Sequence, residues 1–246
     1  MSEKVVLVTG AAGGIGQALC REFTDAGWRV IGTDLEESPQ LPVSDYLSID
    51  LDRLCVDDDY CSHGLASLIR LLPGRLDCLI NNAAVQVVAP VDKLDADAWK
   101  KTLNVNLLAP FILVRGLLGE LTKAEGSVIN IASVHAEMTK PGFAAYASSK
   151  AGLVGLTRSL AVELGSTIRV NAIAPAAVST PMLIDGFNGK SEALAELAGF
   201  HPAQCIGRPE DLAQLALYLA GESSKFLNGA VIGFDGGIAS RLHDPG

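Results

Sequence analysis

Ser133, Tyr146 and Lys150 are the residues of this chain whose types and spacing suit proton transfer at an oxygen atom. Ser133 follows an apolar run, 127–132, that reads as a buried strand, and Tyr146 follows the break at Pro141 and Gly142. Tyr146 and Lys150 are four apart, so a helix over 143–164 turns the phenol and the ammonium to one face. A free phenol titrates at about 10 and is a poor base at neutral pH. A lysine cation nearby favours the phenolate, and a downward shift of about 3 units requires about 4 kcal/mol. Such a tyrosine moves a proton on or off an alcohol or carbonyl oxygen while Ser133 hydrogen-bonds the same atom. Tyr-x-x-x-Lys also occurs by chance on many helices, so its weight rests on what the rest of the chain supplies.

The first supporting element is a strand over 5–9, apolar without interruption as in a parallel sheet. Gly10, Gly14 and Gly16 follow it, and a helix is expected over 17–26, ending at Gly27. Strand, glycine turn and helix start make a phosphate cradle: glycines let the backbone approach, and the helix N-terminus offers free N–H groups. A second strand, 29–33, ends at Asp34, about 20 residues past the turn. A carboxylate there accepts hydrogen bonds from an adenosine ribose and repels a 2′-phosphate. No Lys or Arg stands in the turn or beside Asp34, which favours NAD over NADP.

Residues 35–46 hold two prolines and leave little room for a crossover helix, so a loop or a single helical turn is expected. A third strand is expected over 47–50, with Asp50 and Leu51 as candidates for the adenine edge. A helix over 57–72 and a strand over 76–80 lead to Asn81 and Asn82, read as ties between neighbouring strands. The helical region 94–123 is expected to break at Pro110. Within it, Asn104 and Asn106 need a reason to be in a helix interior: one bonding the backbone, the other holding a water near the Tyr/Lys pair. A sixth strand is expected over 167–173. Strand and helix alternate throughout, which implies an α/β, doubly wound parallel sheet in a single domain, 1–246.

A formal charge of −9 argues against nucleic acid or an anionic membrane as partner. No apolar run approaches the roughly 20 residues needed to span a bilayer. The five cysteines are scattered and lack zinc-like spacing, so they read as free thiols in a reducing compartment, with no metal site. A cytoplasmic protein is expected.

Taken together, Thr9 to Gly16, Asn81 to Ala84, Asn106, Ser133, Tyr146 with Lys150, and Pro175 followed by Thr180 resemble the short-chain dehydrogenase/reductase family over nearly the full chain. The resemblance implies a Rossmann-like sheet of about seven strands and NAD(P)-dependent interconversion of an alcohol and its carbonyl. Tyr146 would be the general acid/base, with Lys150 lowering its pKa and binding the nicotinamide ribose. Ser133 would orient the substrate oxygen, and Asn106 would hold a relay water. The cofactor would lie on Gly10, Ala12, Gly14, Ile15, Gly16, Asp34, Leu35, Asp50, Leu51, Asn82, Ala83, Ala84, Pro175, Ala176, Val178 and Thr180, besides Tyr146 and Lys150. Family geometry would line the substrate pocket with Gln86, His135, Met138, Phe143, Ala177, Met182 and parts of 183–201. Residues 184–190, with two glycines after Pro181, read as a hinged, mobile lid within a substrate-binding segment over 181–208. Ala84, Ala176 and Asn228 depart from the residues usual in the family.

The mainly apolar pocket candidates suggest a small alcohol, a secondary alcohol or cyclic diol, and the resemblance implies a dimer or tetramer. An NADPH-dependent ketone or 3-oxoacyl reductase is the competing enzyme reading, disfavoured by Asp34. A dinucleotide-binding sensor without catalysis is the competing non-enzyme reading, and it predicts loss of Ser133, Tyr146 or Lys150, all of which are present.

Overall fold

The computed structural model describes residues 3–37, 40–186 and 191–242. Seven parallel strands form one sheet in the order β3-β2-β1-β4-β5-β6-β7. They are β1 (Val5–Thr9), β2 (Arg29–Asp34), β3 (Asp45–Ser48), β4 (Cys78–Asn81), β5 (Ser127–Ile131), β6 (Arg169–Pro175) and β7 (Val231–Phe234). The helices are α1 (Gly14–Asp25), α2 (Leu51–Val56), α3 (Asp58–Leu71), α4 (Ala96–Leu103), α5 (Ala109–Gly116) and α6 (Leu118–Ala124). They continue with α7 (Ala144–Leu164), α8 (Pro181–Gly186), α9 (Ser191–Phe200) and α10 (Pro209–Ala220).

The strands are apolar throughout because both sheet faces are covered. Val5 and Leu7 of β1 pack with Leu68, Leu113, Leu117 and Leu160 of α3, α5 and α7 on one face. Val6 and Val8 pack with Leu19, Phe23, Leu212 and Leu219 of α1 and α10 on the other. This two-residue alternation fixes the register of the central strand, since a slip of one residue would exchange the two faces. The chain order reverses between β1 and β4, and in such sheets ligands bind beyond the strand C-termini at that reversal.

No helix occurs among the described residues between β2 and β3, in line with the prolines of that stretch. Arg29 and Asp45 close this edge with an ion pair of 2.7 Å. β3 ends at Ser48, two residues earlier than the pattern suggests, because Asp50 starts a helix instead of finishing a strand. Its carboxylate accepts from the N–H groups of Asp52 and Arg53 and so caps α2, the short helix that periodicity missed.

The region 94–123 breaks elsewhere than expected. Pro110 is the second residue of α5, directly after the π turn from which that helix continues, and the helical run does not end there. The bend, 64°, comes at Leu117, between α5 and α6. Upstream, Asn104–Leu108 forms a π turn between α4 and α5. Among the described residues, no single helix is long and apolar enough to cross a membrane.

Candidate active site

Thr9 and Asn82 hold the C-terminal ends of β1 and β4 together. The Thr9 hydroxyl accepts from the N–H groups of Asn82 and Ala83, both at 3.0 Å. The Asn82 amide donates back to the Thr9 and Gly10 carbonyls. Asn81 donates to Asn130 across β4 and β5 at 2.8 Å, so both asparagines tie strands. The chain then turns at Gly10, whose φ is +64° and where a Cβ would lie 2.7 Å from Ala83 Cα. A Cβ on Gly16 would lie 2.0 Å from the Gly10 oxygen, and one on Gly14 would meet Thr180 and Pro181 at 2.9 Å. Only glycine closes this turn against its neighbours. It ends in α1, whose first N–H groups (Gly14, Ile15, Gly16) have no carbonyl partner within the helix.

A cleft of about 760 Å³ runs from this turn along the C-terminal ends of the strands. It is lined by every residue named for the cofactor, from Gly10 and Asp34 through Asp50, Asn82, Pro175 and Val178 to Thr180. Asp34 is fixed from both sides: one carboxylate oxygen accepts from Ala12 N at 2.9 Å, the other from Leu35 N at 2.8 Å. Glu36, Asp50 and Asp52 line the same part of the chain's cleft surface, making that end acidic. Thr180 caps α8, its hydroxyl accepting from Leu183 N. The size of the cleft, the glycine turn and the free helix N-terminus together fit a dinucleotide. Among the described residues no cluster of His, Cys, Asp or Glu is placed to hold a metal ion.

Ser133, Tyr146 and Lys150 line the same cleft. Ser133 follows β5 and caps a short turn, its hydroxyl accepting from His135 N at 3.2 Å. Tyr146 and Lys150 stand one turn apart near the start of α7, with the Lys150 ammonium 5.6 Å from the Tyr146 ring centre. Lys150 is buried and donates to the Ile131 carbonyl at 2.7 Å. Burial pushes its ammonium down to about 8, so at neutral pH it keeps most of its charge. Burial also pushes the Tyr146 phenol up, and a hydrogen bond with Ser133 pulls it partly back. The expected lowering of Tyr146 by Lys150 is therefore not what this geometry gives: desolvation outweighs the other influences, and the opposing pull comes from Ser133.

Asn106 is buried in the π turn and does not line the cleft. Its side chain binds both backbone groups of Val85, at 2.7 and 2.9 Å, and donates to Ser149 Oγ at 3.0 Å. Both amide hydrogens are thus committed, a different arrangement from a side chain that holds a water. Ser149 in turn donates to the Tyr146 carbonyl at 2.7 Å. Asn104 donates to the Asp52 carboxylate at 2.8 Å. Two side-chain contacts therefore flank the π turn, Asn104 to Asp52 on the cleft side and Asn106 through Ser149 to the helix bearing Tyr146, joined by the backbone between them. Nothing in the sequence pattern pairs Asp52 with Asn104, 52 residues away.

Of the substrate candidates, Gln86 and Ala177 line the cleft, as does Leu183. His135 and Phe143 do not; they stack on each other at 4.5 Å, and both meet the Tyr146 ring edge-on. Instead of facing the cleft they form an aromatic bracket for Tyr146. His135 also bonds Thr139 Oγ1 at 2.9 Å, and its pKa is pushed down by burial and by Lys140. Met138 is exposed and also off the cleft surface. The Met182 side chain and residues 187–190 of the expected lid lie outside the described residues. Lys140, which pattern reading passed over, does line the cleft. Asn228 bonds Val170 N and the Ala161 carbonyl, tying α7 to β6, so its departure from the family's usual residue keeps a scaffold role.

The family model described as enoyl-(acyl carrier protein) reductase matches residues 10–239. The chain belongs to the short-chain dehydrogenase/reductase family. It is 35% identical to the 3-oxoacyl-(acyl-carrier-protein) reductase FabG of Thermotoga maritima over 249 aligned residues, 96% of this chain and 97% of that one. A solved 4-hydroxyisoleucine dehydrogenase complexed with NADH superposes with a TM-score of 0.87 at 30% identity, covering 98% of this chain and 100% of the other. ElxO with NADP bound gives 0.87 at 27% identity, again 98% and 100%. The protein is thus an oxidoreductase of this family using a nicotinamide dinucleotide.

Proposed function

We propose that the protein is an NAD-dependent dehydrogenase that interconverts a small secondary alcohol, or a cyclic diol, and its carbonyl. The observation that carries this reading is one continuous cleft holding Ser133, Tyr146 and Lys150 together with the glycine turn and Asp34. Asp34 uses one lone pair of each oxygen on backbone N–H groups and keeps others for ribose hydroxyls. Glu36, Asp50 and Asp52 add negative charge to the cleft that holds Asp34, which opposes an extra phosphate. Bound NAD supplies the hydride acceptor. Tyr146 takes the alcohol proton, Ser133 holds the substrate oxygen, and Lys150 keeps a positive charge beside the phenol and is the group for the nicotinamide ribose. Asn106 acts by holding Val85 and Ser149, with any relay water left to the backbone of the π turn, a kind of distortion common at functional sites.

Residues 181–208 are read as the substrate cover, with Leu183 of α8 on the cleft. The five free thiols and the exposed Leu108 and Phe111 beside α5 support a cytoplasmic dimer or tetramer. The test is turnover of a panel of secondary alcohols and diols with NAD and with NADP. The reading expects oxidation with NAD at least tenfold more efficient than with NADP, since like charges oppose the extra phosphate. Preference for NADPH with ketones or 3-oxoacyl thioesters would favour the reductase alternative, and no turnover with either cofactor would favour a sensor.

A further inference from the structure

The cleft is electrostatically two-ended, and this bears on the substrate. Its lysines are Lys101, Lys140 and Lys150. Lys150 is committed to the Ile131 carbonyl, and Lys101 stands near the end of α4 before the π turn. Lys140 is different. Its ammonium lies over the Phe143 ring at 4.9 Å from the ring centre. Phe143 is stacked flat on His135, with 12° between the planes, and both rings edge onto Tyr146. The cation is therefore two ring contacts from the phenol. Among the described residues it has no carboxylate partner, whereas Lys100, Lys123 and Lys225 each pair with an acid three residues away. His135 adds no second charge, because burial and Lys140 itself keep the imidazole neutral at neutral pH.

We infer that Lys140 is an anion-recognition residue of the substrate pocket, and that the alcohol oxidised here carries a single carboxylate: a hydroxy acid. The inference rests on the dehydrogenase reading above and narrows its substrate class. A chain of net charge −9 repels anions in general, so a cleft-lining cation two ring contacts from the phenol, with no carboxylate partner among the described residues, sets the orientation of an anionic substrate. The carboxylate goes to Lys140 and the hydroxyl to Ser133 and Tyr146. The ammonium is exposed, so the preference is modest and salt-sensitive: exposed pairs reach about 1 kcal/mol, about fivefold.

The test uses the full chain with NAD and matched pairs of 3-hydroxy acids and their methyl esters from four to eight carbons, with 3-hydroxybutyryl-CoA as a third arm. A second readout needs no turnover: quenching of protein-bound NADH fluorescence by butyrate and by butyramide. Wild type is expected to prefer the acid to the ester by up to about fivefold in kcat/KM, through KM. Raising NaCl from about 0.05 to 0.5 M should erode that preference, as screening shortens the reach of exposed charges. Lys140→Met should collapse the acid-to-ester ratio to near one and Lys140→Glu invert it; butyrate binding should weaken in the same order. Equal binding of butyrate and butyramide by wild type, an acid-to-ester ratio that survives Lys140→Glu, or preference for the CoA thioester would overturn the inference. Failure of the dehydrogenase reading looks different: no alcohol of either charge is oxidised, while the butyrate titration still reports on Lys140.

Discussion

The two ends of the cleft are built in opposite ways. At the end with the glycine turn, where the proposed reading puts adenosine, the charged groups are held by backbone: Asp34 by Ala12 and Leu35, Asp50 by the first turn of α2. At the end proposed for substrate the cation rides on a stack of rings, Lys140 on Phe143 on His135. The first arrangement holds its charges in place through the backbone. The second suits a ligand that differs from relative to relative, since surface side chains can be exchanged without disturbing a strand end.

The largest effect that would break this picture lies between the ends. In the proposed reaction Tyr146→Phe removes the proton acceptor and leaves every cofactor-lining backbone group in place. Turnover should fall by about 10²–10⁴-fold, the usual worth of a general base, with NAD affinity measured by fluorescence nearly intact. Retained turnover would remove Tyr146 from the chemistry. Next comes the adenosine end. Asp34→Ser should lower the preference for NAD over NADP by at least tenfold, read as the ratio of kcat/KM values, because it deletes both a ribose acceptor and a negative charge. An unchanged ratio would move cofactor choice elsewhere, to Glu36 or Asp52. A smaller effect tests whether the two ends communicate. Asn104→Asp sets two carboxylates against each other at the Asp52 contact and should lower kcat/KM for NAD about tenfold, Asn104→Ala about threefold. The swap Asp52→Asn with Asn104→Asp restores the donor–acceptor pair and should recover most of the loss. Recovery of thermal stability without recovery of kcat/KM would reduce the contact to scaffolding.

How far the sequence alone could reach follows the same division. The glycine turn, Asp34 and the Tyr146/Lys150 spacing depend on neighbours within a few residues, and β1, β2 and α7 emerge nearly as their patterns indicate. Asp50 misled at the local level because an aspartate at a strand end and one at a helix N-cap look alike until the next turn is seen. The π turn is invisible to apolar periodicity, and its asparagines are explained only by Val85, Ser149 and Asp52, which arrive from other elements. His135 and Phe143 were placed on the pocket wall by analogy, but their mutual stacking turns them onto Tyr146. The direction of the Tyr146 shift is not legible in the sequence because spacing reveals the lysine and not the burial that sets the shift.

That shift also supplies the most direct test of the central claim, that Tyr146 trades the proton during hydride transfer. As the base, Tyr146 acts only when deprotonated, so alcohol oxidation rises with pH as the phenol ionises. Burial sets that ionisation high and the Ser133 hydrogen bond draws it down, so removing the hydroxyl must move it up. The measurement is kcat/KM for oxidation against pH in wild type and in Ser133→Ala. The account predicts a rising limb from Tyr146 that moves to higher pH in the variant, with the loss of the Lys150 charge at about 8 common to both proteins; a flat profile, or a rising limb that stays where it was, would contradict it.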